Sequence, residues 1–139
     1  MDPVGVEWCR RGHEAFHDAV FDPSSGLFWA GDLGAALGPD PVVHAEEMPA
    51  DELAASFVVA HGLISPWIAM VDDTKYQLAV NRIADLGITT WAQTHGPVYE
   101  GDYINQAIGL LRTVPTADEP QQPGQAELDA IVASTLLAA

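Results

Sequence analysis

Two short apolar runs, residues 19–21 and 27–30, flank Asp22-Pro23-Ser24-Ser25-Gly26. Proline presets the backbone of a turn, Asp and Ser bond back to the local chain, and Gly accepts the left-handed conformation that closes it. The segment is therefore expected to be a β-hairpin, with a further strand-like stretch beginning at residues 5–9. Gly12-His13 precedes the hairpin and Gly31-Asp32 follows it. Whatever these polar residues do, a sheet has to hold them in place.

Downstream, residues 33–41 read as a Gly/Pro-rich loop and 42–49 as an irregular polar loop lying over the body of the protein. Residues 49–63 are expected to be helical, with Leu53, Phe57, Val58 and Leu63 as the apolar recurrence, ending because the residue before Pro66 is pushed out of helical geometry. Residues 74–86 repeat the pattern with Leu78, Ile83 and Leu86, and Gly87 stands as the C-cap. Residues 88–92, β-branched and aromatic, predict a buried strand that delivers Gln93-Thr94-His95-Gly96-Pro97 into a loop. A third helix is expected over 102–113, and a last amphipathic one over 126–137 carries Leu128, Ile131, Val132 and Leu136. The order of elements is that of an α/β protein. The chain divides into a main body at 1–114, a Pro/Gln-rich linker at 115–124 and a C-terminal helix at 125–139.

Composition narrows the partners. A length of 139 residues with 48% hydrophobic residues suits one domain with a packed core. Five Lys+Arg against twenty Asp+Glu leave a formal net charge of -15, which repels nucleic-acid phosphate and anionic lipid. No apolar run reaches the roughly 18 residues of a spanning helix, residues 1–11 lack the layout of a secretory signal, and a cytoplasmic location is the default expectation. The single cysteine, Cys9, forms no internal disulfide and builds no thiolate cage. Any metal would rest on His and carboxylate ligands.

Three places join His or Asp to Gly in a loop beside a strand: Gly12-His13, Gly31-Asp32 and His95-Gly96. Loops at strand ends let a rigid sheet hold side chains around an ion, and imidazole with carboxylate suits zinc, iron or manganese. These motifs resemble the metallo-β-lactamase fold. The run Gly12-His13-Glu14-Ala15-Phe16-His17, then the hairpin, then Gly31-Asp32, is similar to that family's Gly-His-x-x-x-His, Asp-Pro-x-x-Gly, Gly-Asp arrangement. His13 and Asp32 stand 19 positions apart (32 minus 13), and Thr94-His95-Gly96-Pro97 resembles the family's last ligand segment. The resemblance implies that His13 and His95 are metal ligands, that Asp32 is the carboxylate bridging two metals, and that His17 orders the loop. Within the family it is nearest to the flavodiiron and oxygen-binding diiron branch, through the helix ending in Ile64-Ser65-Pro66, the helix before Gly87 and the loop at 94–98.

One departure bears on everything else. The family's His-x-His-x-Asp-His, or His-x-Glu-x-Asp-His in the diiron branch, occurs nowhere in this sequence. The chain resembles the C-terminal half of an αββα sandwich, a mixed sheet covered by helices, whose inner face would lack its apolar cover. A second chain, a second copy of this one, or the rest of a longer protein would have to supply it. The reading this favours is a metal-binding protein resembling diiron oxidoreductases of oxygen or nitric oxide chemistry, with iron as cofactor and no flavin site visible. A zinc-dependent hydrolase of the same fold, and a non-catalytic interaction subunit that has lost its metal, are the alternatives.

Other residues carry plainer expectations. His44, in His44-Ala45-Glu46-Glu47, belongs to a solvated acidic stretch, and His61 on an apolar helix is a satisfied core or interface histidine. Trp8, Trp29, Trp67 and Trp91 are expected in core or interface packing, and Cys9 is expected to be inert.

Overall fold

The computed structural model describes residues 7–8, 19–38, 40–118, 120 and 124–137. Five short strands form one mixed sheet in the order β1 (Glu7–Trp8), β2 (Val20–Asp22), β3 (Leu27–Trp29), β4 (Thr90–Ala92), β5 (Tyr99–Glu100). Neighbours pair antiparallel except β3 and β4, which run parallel with Leu27, Phe28 and Trp29 opposite Thr90, Trp91 and Ala92. The expected hairpin is β2–β3. Its turn is tied by Asp22, whose Oδ1 accepts from the Ser24 amide and hydroxyl and whose Oδ2 accepts from the Ser25 hydroxyl. Those hydroxyls, Ser25 first, hold the exposed carboxyl below its ordinary range. Gly26 closes the turn at φ 72°, and its carbonyl accepts from the Thr89 amide at 2.9 Å, so the hairpin tip seats the entry to β4.

Between the parallel strands the chain passes through α1 (Ala50–Ile64) and α2 (Asp73–Ala84), and α3 (Asp102–Thr113) follows β5. The helix bounds follow local chemistry. Asp51 and Glu52 occupy the first turn of α1, where the helix dipole favours negative charge, and Pro66 stops it. Asp72 caps α2 by accepting from the Lys75 amide at 3.0 Å. Helix α3 coincides with the expected 102–113, whereas α2 ends at Ala84 with Asp85 as its C-cap, two residues short of the expected Leu86, and Gly87 takes φ 73° in the turn beyond.

The buried faces coincide with the expected ones at Leu53, Phe57 and Ile83 and differ elsewhere. Helix α1 buries Leu53, Phe57, Ala60 and His61 and leaves Leu63 at 44% exposure. Helix α2 buries Tyr76, Val80 and Ile83, with Leu78 exposed. Both helices pack against α3, so the stripe turned to α3 and the core is the buried one. Two features lay outside the sequence reading altogether. Strand β5 is one, and a parallel bridge between His44 and Val98 is the other, extending the sheet past β5 with the Ala45 amide bonded to the Val98 carbonyl at 2.9 Å.

Alternation along the strands creates two unlike faces. Phe21, Phe28, Trp91 and Tyr99 point to the helices and form the centre of the core, with Phe28 edge-on to Trp91 at 5.1 Å and Trp91 edge-on to Tyr99 at 6.0 Å. Tyr76 donates its hydroxyl to the Leu111 carbonyl at 2.9 Å, joining α2 to α3. The opposite face carries Val20, Trp29 and Ala92 in one register row, and Trp29 is 45% and Leu27 40% exposed. Trp29 therefore stands outside this chain's core, while Trp91 is its centre and Trp67 packs at its margin. Cys9 lies outside the described residues.

Past α3, a 3-10 turn, Val114–Thr116, leads from the buried Val114 into the segment expected as a linker at 115–124, and Pro120 of that segment lies against Gly62 of α1. Helix α4 (Gln125–Leu137) follows, with Leu128 and Val132 exposed rather than packed. Replacing the fully buried Phe28 with Ala removes the ring that joins hairpin to core. Urea unfolding is expected to show a loss of roughly 3–5 kcal/mol in stability.

Candidate functional site

The parallel pair β3–β4 sends two loops out of the same end of the sheet, the end at which α/β sheets place their ligand sites. Asp32 is in the loop after β3 and His95 in the loop after β4. The loops are laced by backbone bonds: the Ala30 amide to the Ala92 carbonyl (2.9 Å), the Thr94 amide to the Gly31 carbonyl (2.7 Å) and the Ala36 amide to the His95 carbonyl (3.3 Å). Gln93 crosses its own loop by donating to the Pro97 carbonyl.

Three core side chains grip the Asp32 turn from below. The Trp91 indole N–H donates to the Leu33 carbonyl at 3.1 Å, the Tyr99 hydroxyl donates to the Gly34 carbonyl at 2.7 Å, and the Gly34 amide donates to His61 Nε2 at 3.1 Å. Gly34 sits at φ 93°, and a Cβ there would fall 2.8 Å from the Trp91 ring nitrogen, so this contact requires glycine. The second ring nitrogen of His61, Nδ1, lies 2.7 Å from the Phe57 carbonyl. A carbonyl only accepts and an amide only donates, so these partners fix one neutral tautomer, protonated at Nδ1. Burial holds the His61 imidazole below its ordinary pKa, and burial pushes the Tyr99 phenol upward.

So anchored, Asp32 Oδ1 and His95 Nε2 stand 3.6 Å apart, with Asp32 26% and His95 54% exposed. That separation exceeds a hydrogen bond. It fits two donors on one ion, since metal–ligand distances of about 2.1 Å at a tetrahedral angle put donor atoms about 3.4 Å apart. The structure thus brings together two of the three expected ligands across 63 positions of sequence (95 minus 32). His13 and His17 lie outside the described residues. Among the described residues no group of three or more His, Cys, Asp or Glu is placed to hold a metal ion.

His44 is placed elsewhere, with Nδ1 3.8 Å from a Glu100 carboxylate that also accepts from the Thr90 hydroxyl. His61 is the satisfied core histidine expected, at 4% exposure, but its hold on the Asp32 turn was not anticipated. The available signal was its position: four residues after Phe57 and eight after Leu53, it shares their buried stripe, where a polar group needs a partner.

Comparison with solved structures places this architecture. The chain superposes on rubredoxin oxygen:oxidoreductase from Desulfovibrio gigas with a TM-score of 0.58 at 12% identity, covering 77% of this chain and 25% of that one. On the chemotaxis sensor ODP from T. denticola, in its apo state, the TM-score is 0.51 at 18% identity, covering 86% and 44%. On the flavodiiron protein from Giardia intestinalis it is 0.52 at 13% identity, covering 75% and 24%. These are metallo-β-lactamase-fold diiron proteins, and this chain has part of that fold, spanning less than half the length of each. No protein-family model and no curated protein matches the sequence.

Tyr99→Phe keeps the ring and strands the Gly34 carbonyl. Denaturant unfolding is expected to show a loss of about 1–3 kcal/mol, the cost of one unsatisfied buried group.

Proposed function

We propose that this chain is the metal-binding part of a metallo-β-lactamase-type site of the diiron kind, with Asp32, His95 and His13 as its ligands. The 3.6 Å approach of Asp32 to His95 at the ends of parallel strands is the observation that carries the reading. Asp32 supplies the anionic oxygen and His95 a ring nitrogen in its neutral form, and the lacing of the two loops sets their backbones side by side. Bound there, iron would supply redox chemistry toward oxygen or nitric oxide. The diiron character of the structural neighbours favours iron over zinc, at identities that carry the fold alone.

A second metal would need ligands from outside this sequence, since the run that supplies them in the family is absent. The half-exposed row Val20–Trp29–Ala92 supports the same division, because it is the face a second sheet layer would cover. A second chain or a second copy is the proposed source of that layer.

Anaerobic titration with Fe(II), or with Co(II) read by its visible absorption, tests the site. The unaltered protein is expected to bind the ion, and Asp32→Ala and His95→Ala are each expected to lose at least the ~10–100-fold that even an outer partner of a metal ligand is worth. Unchanged affinity in both variants, with folding checked by circular dichroism, would remove the proposal. Sedimentation tests the uncovered face. Self-association predicts a mass above 14.8 kDa that falls on Trp29→Asp, and a single 14.8 kDa species would exclude the second-copy form.

A further inference from the structure

We propose that His61 is a positioning residue controlled by a proton: its neutral ring holds Gly34, and with Gly34 the Asp32 turn, and protonation of Nε2 releases that hold. The inference rests on the reading of Asp32 as a site residue for its consequence, and on the geometry of His61 alone for its mechanism.

Of the three side chains gripping the turn, two are donors that stay donors. The Trp91 indole does not titrate, and burial pushes the Tyr99 phenol still further from neutrality. His61 is the acceptor, and Gly34 points its amide N–H at the ring nitrogen that a proton would occupy. With Nδ1–H already committed to the Phe57 carbonyl, a protonated ring has two donors and sets one of them against another donor. Turning away would cost the ring its stack on Phe57, held at 4.2 Å and an interplanar angle of 21°.

Among the described residues no charged group pairs with the ring to soften this conflict. Burial depresses the ring's basicity, and the Phe57 carbonyl opposes that in part. The titratable groups on the elements packed against α1 are Asp102, Tyr103 and Arg112 on α3 and Asp118 after the 114–116 turn, while the 66–70 turn has none. Tyr99 meets the ring's stacking partner Phe57 edge-on, and Asp32 lies two residues from Gly34. None of these groups forms an ion pair with His61 among the described residues. A folded-state value below the unfolded one, itself about 6.5, means that the unfolded chain binds the proton first. The stability this histidine contributes is full above that value. It declines as pH falls below it, until the folded form is protonated too.

Amide exchange of the full, metal-free chain, followed by nuclear magnetic resonance from about pH 7.5 to about pH 5, tests the latch across the range where histidine titrates. In the unaltered protein the Gly34 protection factor is expected to fall at least about tenfold, in step with the His61 ring carbon shifts, while Ala107 in α3 keeps its protection. In His61→Gln, whose side-chain oxygen can take the amide without titrating, Gly34 protection is expected to stay level across the range. His61→Phe is expected to lose it at every pH. A Gly34 protection factor that ignores His61 titration in the unaltered protein, or that falls equally in His61→Gln, would overturn the proposal. No metal enters this measurement, so the latch and the metal site fail separately: loss of ion binding in Asp32→Ala with a pH-insensitive Gly34 would sink only the latch.

Discussion

Two consecutive residues, Leu33 and Gly34, make three hydrogen bonds to three elements: their carbonyls accept from Trp91 of β4 and Tyr99 of β5, and the Gly34 amide donates to His61 of α1. Trp91 and Tyr99 are also the largest fully buried side chains, so the groups that close the core are the groups that reach out of it to the turn. A buried polar group left unpaired costs more than its bond contributes, and this asymmetry makes the grip selective. A shifted turn would strand an indole N–H, a phenol and an imidazole nitrogen in apolar surroundings together. The position of Asp32 is thereby tied to the packing of the whole chain rather than to the loop that contains it.

The same strands do two further things. Phe28 and Trp91 face the helices, while their neighbours Trp29 and Ala92 face the other way. Three residues beyond Trp29 is Asp32, and three beyond Ala92 is His95. The parallel register that pairs Trp29 with Ala92 therefore brings the acid and the imidazole together as well. A shift of one residue would turn Phe28 outward, bury Trp29 and separate the pair.

Much of this was legible in the sequence where the signal is local. The turn residues 22–26 specify the hairpin, Pro66 and Gly87 punctuate the helices, and the motifs around Asp32 and His95 single out those two residues. What was not legible depends on distant neighbours. Tyr99–Glu100 is too short to announce itself, and it is a strand because β4 offers an edge. Leu63 and Leu78 read as core but face solvent, since the stripe that meets α3 and the core carries Ala60 and His61 on α1 and Tyr76 on α2 instead. His61 was legible as a buried polar residue, but its partner, 27 positions away, was not.

The uncovered face and the site are linked by this arrangement. Trp29 has somewhat under half its surface exposed. Covering that area, on the order of 100 Å², contributes about 2–3 kcal/mol, well short of the roughly 800 Å² per partner that a stable association buries. A covering layer of that size would extend along the sheet, over Val20, Leu27 and Thr90, and would reach the strand ends. Docking there would lower the water content around a pair that is now partly exposed, and electrostatic interactions strengthen as water leaves. A partner that covered Trp29 would therefore also tighten the hold of Asp32 and His95 on any cation between them, while the grip of Trp91, Tyr99 and His61 positions the turn from within this chain.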